Sequence, residues 1–231
     1  MNDHSNDKKT VLEPDPETGT RSDGIRAAIP NALTLARCFM ALGVFALLGI
    51  GTDPVGPATL AWATGFFVAA AITDALDGYL ARRWRVISRF GRVMDPFADK
   101  LLVLGTLIVM AGPRFVVPGG DETGTYVASG VEPWMVAVIL GRELLITSLR
   151  GVAEQDGIDF SATFSGKLKM ILQSVGIPVI LLVLALGKGE QGTVWRTVVL
   201  ASAWAMTGAT VWSAVPYVAR FAGAKRVEAA S

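Results

Sequence analysis

The chain is short of the residues that build disulfide scaffolds and soft-metal sites. It has one cysteine, Cys38, and one histidine, His4, in 231 residues. A disulfide framework is excluded, and so is a metal site made of imidazole or thiolate; any metal must be held by oxygen. Charge is also scarce. Asp, Glu, Lys and Arg make up 18% of the chain, while 52% is hydrophobic. A soluble domain usually carries about 25% charge. The deficit is gathered into long runs. Met170 to Gly187 holds no charge over 18 residues, and Thr197 to Ala219 none over 23. Either run can cross a hydrocarbon core about 30 Å thick at about 1.5 Å per residue. A water-soluble enzyme and a disordered protein are thereby excluded. The 21 basic residues nearly balance the 20 acidic ones, which gives no reason to expect nucleic acid as a partner.

What is present reads as an all-α integral membrane protein. Residues 1–24 are polar, lack the order of a signal peptide, and read as a disordered cytosolic tail. Ile25 to Ile29 reads as a short interfacial segment ending at Pro30. Six spans follow within a membrane domain of residues 25–220. They run from about Asn31 to Gly51, Ala58 to Arg82, Val93 to Gly112, Pro133 to Arg150, Gly166 to Gly187 and Val194 to Arg220. Residues 221–231 read as a second cytosolic tail. A Gly-rich stretch before the fourth span reads as a loop. Lys and Arg set the orientation. Arg82, Arg83, Arg85, Arg89 and Arg92 crowd the second connection, whereas the opposite side has only Arg114, Lys188 and Arg196. Both termini are therefore expected in the cytosol.

Four carboxylates interrupt this apolar pattern within 26 residues: Asp74, Asp77, Asp95 and Asp99. Each costs about 2.5–3.5 kcal/mol at the centre of a spanning helix. Asp74 and Asp77 are three apart and share a face of the second helix; Asp95 and Asp99 are four apart and share a face of the third. The short connection makes these helices expected antiparallel neighbours with their acidic faces meeting. Converging carboxylates need a positive partner. A hard divalent ion, Mg²⁺ or the similar Mn²⁺, suits oxygen ligands, and a pair of ions suits phosphoryl chemistry. The positive dipole end of the third helix is expected near Asp95, with Pro96 in the first turn. The plainer reading keeps the carboxylates as structural partners of Arg82, Arg92 or Lys100.

The same residues carry a family resemblance. Asp74, Asp77, Gly78, Ala81 and Arg82, then eight residues, then Gly91, Asp95 and Asp99, fill every fixed position of D-x2-D-G-x2-A-R-x8-G-x3-D-x3-D. That pattern resembles the signature of the CDP-alcohol phosphatidyltransferases, and the six-helix layout is similar to theirs. The resemblance implies that Asp74, Asp77, Asp95 and Asp99 hold metal and that Asp99 is also the general base. It implies that Gly78, Ala81, Arg82 and Gly91 line the cytidine diphosphate site of CDP-diacylglycerol, with Ser88 nearby. Asn31 and Thr34 either bond the cytosine, as the family implies, or cap the first helix.

Further segments resemble the bacterial phosphatidylglycerophosphate synthase branch. Ile29, Pro30, Asn31, Thr34 and Arg37 open the first helix as that branch does. Gly141, Arg142 and Glu143, and later Ser165, Gly166, Lys167, Lys169 and Gln173, resemble its later segments. The branch implies glycerol 3-phosphate as acceptor, and Arg142, Arg150 and Lys167 are candidates for its phosphate. Arg150 and Lys169 also fit as positive-inside anchors. Glu143 is not expected to face Arg142 and pairs instead with a cation on another helix. Gly43 and Gly49 are expected to permit close helix packing. The expected enzyme lies in a bacterial inner membrane, acts as a homodimer with a cytosolic active site, and releases CMP. The alternatives are another acceptor (inositol phosphate, serine or a lipid alcohol) or, outside the enzyme class, a cation transporter.

Overall fold

The structure, a computed structural model, describes residues 21–84, 89–119, 124–155, 164–187 and 193–228. Those residues form six long helices: α1 (Arg21–Gly49), α2 (Pro57–Trp84), α3 (Arg89–Met110), α4 (Pro133–Gln155), α5 (Phe164–Ala185) and α6 (Val194–Glu228). Each expected span lies on one of them. Four are long and apolar enough to cross a membrane: Asn31–Gly49 in α1, Pro57–Leu80 in α2, α5, and Val194–Phe221 in α6. At 22 and 23 residues, α3 and α4 have the length, but charge dilutes their hydropathy: Asp95, Asp99 and Lys100 on α3, Arg142, Glu143 and Arg150 on α4.

Several boundaries differ from expectation. The segment Ile25 to Ile29 is continuous with α1, which passes through Pro30 without a break. Ten residues precede the apolar run in the same helix, so the charged entry does not interrupt it. At the other end α6 continues to Glu228, where a tail from residue 221 was expected. Ala222, Ala224, Lys225 and Arg226 are good helix formers and carry the helix past Gly223, with no proline to stop it. Helix α3 begins at Arg89, so Pro96 sits inside it and leaves the carbonyl four residues earlier without an N–H donor. Asp95 then lies well beyond the first turn, where the helix dipole has little effect.

The Gly-rich stretch is not wholly a loop. A 3-10 turn at Pro113–Phe115 leads into a two-stranded antiparallel hairpin, β1 (Val116–Pro118) with β2 (Thr125–Val127). Strands of three residues are too short to show a period-two pattern. Two arginines hold this end. Arg114 Nη1 donates to the carbonyls of Leu48 (2.7 Å) and Ile50 (2.9 Å), its Nη2 to that of Thr52, and its Nε to Asp53 (3.0 Å). It thus satisfies carbonyls that the C-terminus of α1 leaves open. Arg196 Nη1 and Nη2 donate to the carbonyls of Ala128 (2.6 Å) and Val127 (3.1 Å), with the guanidinium 4.8 Å from the Tyr126 ring centroid. Gly130 turns the chain into α4 at φ +65, a conformation that L side chains rarely adopt.

The buried faces of α1, α2, α5 and α6 change character along their length. On α1 it reads Thr34, Arg37, then Ala41, Val44, Leu48; on α5 it reads Ser165, Lys169, Gln173, then Gly176, Ile177, Ile180. On α2, Leu60, Ala63, Phe67 and Ala70 precede Asp77, and on α6, Val199, Ala203 and Met206 precede Thr210, Ser213 and Tyr217. Successive helices alternate in direction, so the polar halves meet at one end of the bundle and the apolar halves form the core at the other. Helix α1 packs between α2 and α3. It runs parallel to α3 and antiparallel to α2, and it makes the contacts that α2 and α3 were expected to make with each other. Gly105 permits the α1–α3 approach: a Cβ there would overlap three atoms of the Phe45 ring. Gly43 packs on Phe66 as expected for a close contact, but Gly49 faces open space.

Candidate active site

Three helices converge on the acidic pairs. Asp74 and Asp77 stand one turn apart near the polar end of α2, and Asp95 and Asp99 occupy consecutive turns of α3. Between them α1 presents Thr34 and Arg37, three residues apart on one face. Arg37 is fully buried. Its Nη1 pairs with Asp74 Oδ1 and its Nη2 donates to Asp77 Oδ2. Thr34 Oγ1 donates to Asp95 Oδ1 at 2.6 Å. One element therefore ties both acidic pairs together. The four carboxylates share an electrostatic neighbourhood. Asp77 lies in range of the charges of Asp74 and Asp95, and Asp99 in range of those of Asp74, Lys169, Arg37 and Glu143. As the side chains stand, no three acidic groups among the described residues converge on one point. The cation between Asp74 and Asp77 is Arg37.

A second cluster lies beside the first. Glu143 Oε1 accepts from Arg142 Nη1 (3.0 Å) and from Lys169 Nζ (2.5 Å). The expectation that Arg142 and Glu143 do not face each other is corrected. Neighbouring Cβ atoms diverge, but both long side chains bend into the bundle, where Glu143 meets both Arg142 and Lys169. The expected pairing of Glu143 with a cation on another helix holds. Lys169 is buried, so it does not serve as a surface anchor. The Arg142 guanidinium lies 5.8 Å from the Tyr217 ring centroid, and its buried Nε has no hydrogen-bond partner. Lys100 Nζ donates to Thr147 Oγ1 (2.6 Å), joining α3 to α4, and Gln173 Nε2 donates to Thr210 Oγ1 (3.1 Å), joining α5 to α6. Arg142, Lys169 and Glu143 together leave one positive charge inside the bundle, next to Asp99.

The remaining expected site residues are placed less closely. Arg150 and Lys167 are exposed, and Asn31 and Gly78 are half-buried at the polar end. The hydroxyl of Thr34, expected at the nucleotide, is engaged by Asp95. Ala81, Arg82 and Gly91 fall on α2 and α3 where their side chains lie outside the described residues, and Ser88 lies outside them altogether. A cavity of about 370 Å³ sits at the opposite end, against Arg114, Phe115 and Tyr126, and shares no residue with the motif.

Two residues were undervalued by sequence reasoning. Arg37 had a signal, since an ionisable residue within an apolar helix is a functional candidate by default. Lys169 had one too: Ser165, Lys169 and Gln173 repeat at intervals of four, the spacing of a single helix face.

Comparison with known proteins agrees with this geometry. Residues 27–215 match the CDP-alcohol phosphatidyltransferase family. The CDP-diacylglycerol–glycerol-3-phosphate 3-phosphatidyltransferase of Cereibacter sphaeroides is 33% identical over 180 residues, covering 73% of this chain and 72% of that protein. A probable phosphatidylglycerophosphate synthase of Mycobacterium tuberculosis is 35% identical over 207 residues, 89% of this chain and 87% of its own length. A CMP-forming cardiolipin synthase of Streptomyces coelicolor is 30% identical over 221 residues, 93% and 92% of the two chains. With the signature aspartates gathered at one end of the bundle and the match running from α1 into α6, the chain belongs to the CDP-alcohol phosphatidyltransferase family.

Proposed function

We propose that the chain transfers the phosphatidyl group of CDP-diacylglycerol to glycerol 3-phosphate, giving phosphatidylglycerophosphate and CMP. The observation that carries this reading is the adjacency of two clusters of opposite character. The aspartates of α2 and α3 suit a bound diphosphate with its cations. The buried Arg142–Glu143–Lys169 group is net positive and suits the dianion of a phosphorylated acceptor. The names of the relatives from Cereibacter sphaeroides and Mycobacterium tuberculosis point the same way.

The donor set fits Mg²⁺ or Mn²⁺, with two ions expected. Asp74, Asp77, Asp95 and Asp99 offer only hard oxygens, and a positive charge already lies between two of them. Bound ions would neutralise the diphosphate and stabilise charge on the departing CMP. Asp99 accepts the proton of the acceptor's primary hydroxyl. That oxygen bonds to the phosphorus carrying diacylglycerol as the bond to the CMP oxygen breaks. Arg82, by the family resemblance, bonds the nucleotide's phosphate. All six helices span the bilayer of a bacterial inner membrane in this reading, with both termini and the polar end cytosolic. The enzyme acts as a homodimer.

The name of the Streptomyces coelicolor relative, a CMP-forming cardiolipin synthase, supports a second reading in which the acceptor is a lipid alcohol such as phosphatidylglycerol. Metal-dependent CMP release by the purified chain, measured with CDP-diacylglycerol and a panel of acceptors, separates the readings. Release with glycerol 3-phosphate supports the first. Release only with phosphatidylglycerol, inositol phosphate or serine replaces the acceptor, and release with none overturns the enzyme.

A further inference from the structure

We propose that Arg37 and Thr34 of α1 are positioning residues that set the aspartate oxygens for a divalent ion. The inference rests on the metal-binding reading given above. It starts from atoms. Arg37 takes one oxygen of Asp74 and one of Asp77, and Thr34 takes one of Asp95. Three carboxylates on two helices are thus each met at one oxygen by a single rigid element, and the other oxygen would turn toward a shared ion. Two of these contacts are hydrogen bonds, to Asp77 and Asp95, and the third, to Asp74, is an ion pair; contacts of this kind to metal-ligating carboxylates orient them and tune the ion's affinity.

Burial argues against a passing contact. Arg37 is wholly enclosed; its Nε and Nη1 have no hydrogen-bond partner, and Nη1 meets Asp74 as an ion pair. A guanidinium in such a place is costly unless its charge is answered, and Asp74 and Asp77 answer it. The cluster is open on the Asp74 flank: the side chain of Asp74 is 42% exposed and that of Asp77 7%. An ion can therefore reach the aspartates from the Asp74 side without moving Arg37 out of the core. An opposed possibility exists. A cation between two carboxylates can also compete with the metal, and the two roles predict shifts of opposite sign.

The test is Mn²⁺ binding to the full chain in detergent, read from free Mn²⁺ by electron paramagnetic resonance. Arg37→Gln is expected to weaken Mn²⁺ binding by about 10–100-fold, with Arg37→Lys between it and the wild type. Thr34→Val keeps the shape and removes the hydroxyl, so it should weaken binding several-fold, and it should add nothing in an Asp95→Asn background. If Arg37→Gln does not fold, Thr34→Val and its dependence on Asp95 decide the matter. Unchanged or tighter Mn²⁺ binding in the folded variants overturns the proposal, tighter binding marking Arg37 as a competitor. A wild-type chain that releases CMP yet binds no Mn²⁺ overturns the metal site itself, and the inference with it. Wild-type binding that the variants leave untouched overturns only the role given to α1.

Discussion

Replacing Gly105 with alanine asks whether the contact between α1 and α3 is as tight as the structure makes it. A Cβ at position 105 would meet three atoms of the Phe45 ring, all closer than 3.0 Å. Even the farthest, at 2.9 Å, lies about 0.5 Å inside the 3.4 Å at which ordinary contact begins, and the other two need more room. An aromatic ring packed on the core cannot fold away as a lysine tip would. Either α3 recoils or Phe45 leaves its rotamer. Overpacking of this kind costs about 1–3 kcal/mol. For a chain of this size each kcal/mol is worth roughly 2–4 °C in Tm. Gly105→Ala should therefore lower the midpoint in a detergent melting assay by about 2–12 °C. CMP release should fall as well, because the parallel helices that meet at Phe45 and Gly105 meet again at Thr34 and Asp95. Trimming the ring in Gly105→Ala/Phe45→Leu should restore most of the loss. A single variant that melts with the wild type, or a double variant no better than the single, would refute the close approach.

Asp99→Asn should cut CMP release by about 10²–10⁴-fold with little change in melting temperature; normal turnover would remove Asp99 as the base. Lys169→Met should raise the KM for glycerol 3-phosphate by about 10–100-fold, since a buried charge-assisted contact is lost, while Lys167→Ala on the exposed surface should change it less than about two-fold. Equal effects, or the reverse order, would take Lys169 out of the acceptor pocket. Arg114→Ala should lower stability, at about 1.5–3 kcal/mol for each charge-assisted bond to a carbonyl that water does not replace, and leave CMP release per folded molecule intact. Arg114→Lys should recover only part, because an ammonium cannot reproduce the fork that spans Leu48, Ile50 and Thr52. A loss of turnover without a loss of stability in Arg114→Ala would link the far end to the chemistry.

The helices and the four aspartates were legible because their signals are local. A run of uncharged residues or a carboxylate every third or fourth position can be read without knowing what lies opposite. Partnership was less legible. The short connection between α2 and α3 suggested that these helices face each other, yet α1 occupies the space between them. The reason lies in distant positions. Gly105 lets α1 come close to α3, and α1 gives the acidic face of α2 a cation, Arg37, and that of α3 a hydroxyl, Thr34, which the two faces could not offer one another. Lys169 was misplaced for a related reason. Near a helix end a lysine reads as an anchor, and only Glu143, 26 residues earlier, draws it inside. The hairpin was missed because its strands are too short for any period to show.

The division of four buried faces into a polar and an apolar half explains why a bundle can hold so many charges. A fully polar face would leave nothing to pack, and a fully apolar one would leave nothing to bind. Here the apolar halves of α1, α2, α5 and α6 form a core at the end held by Arg114 and Arg196. The polar halves then need only meet, not fold, the site. Carboxylates and cations fall into place as pairs across helices: Arg37 with Asp74 and Asp77, Glu143 with Lys169, Thr34 with Asp95. The pairs from α1 join it to helices that the core has already brought against it, so their geometry is inherited from packing some 15 Å away, about ten residues of helix rise. The same inheritance makes the site sensitive to that packing. A displacement of α3 against α1 cannot be absorbed locally, because Thr34 and Asp95 ride on the same two rigid rods as Phe45 and Gly105.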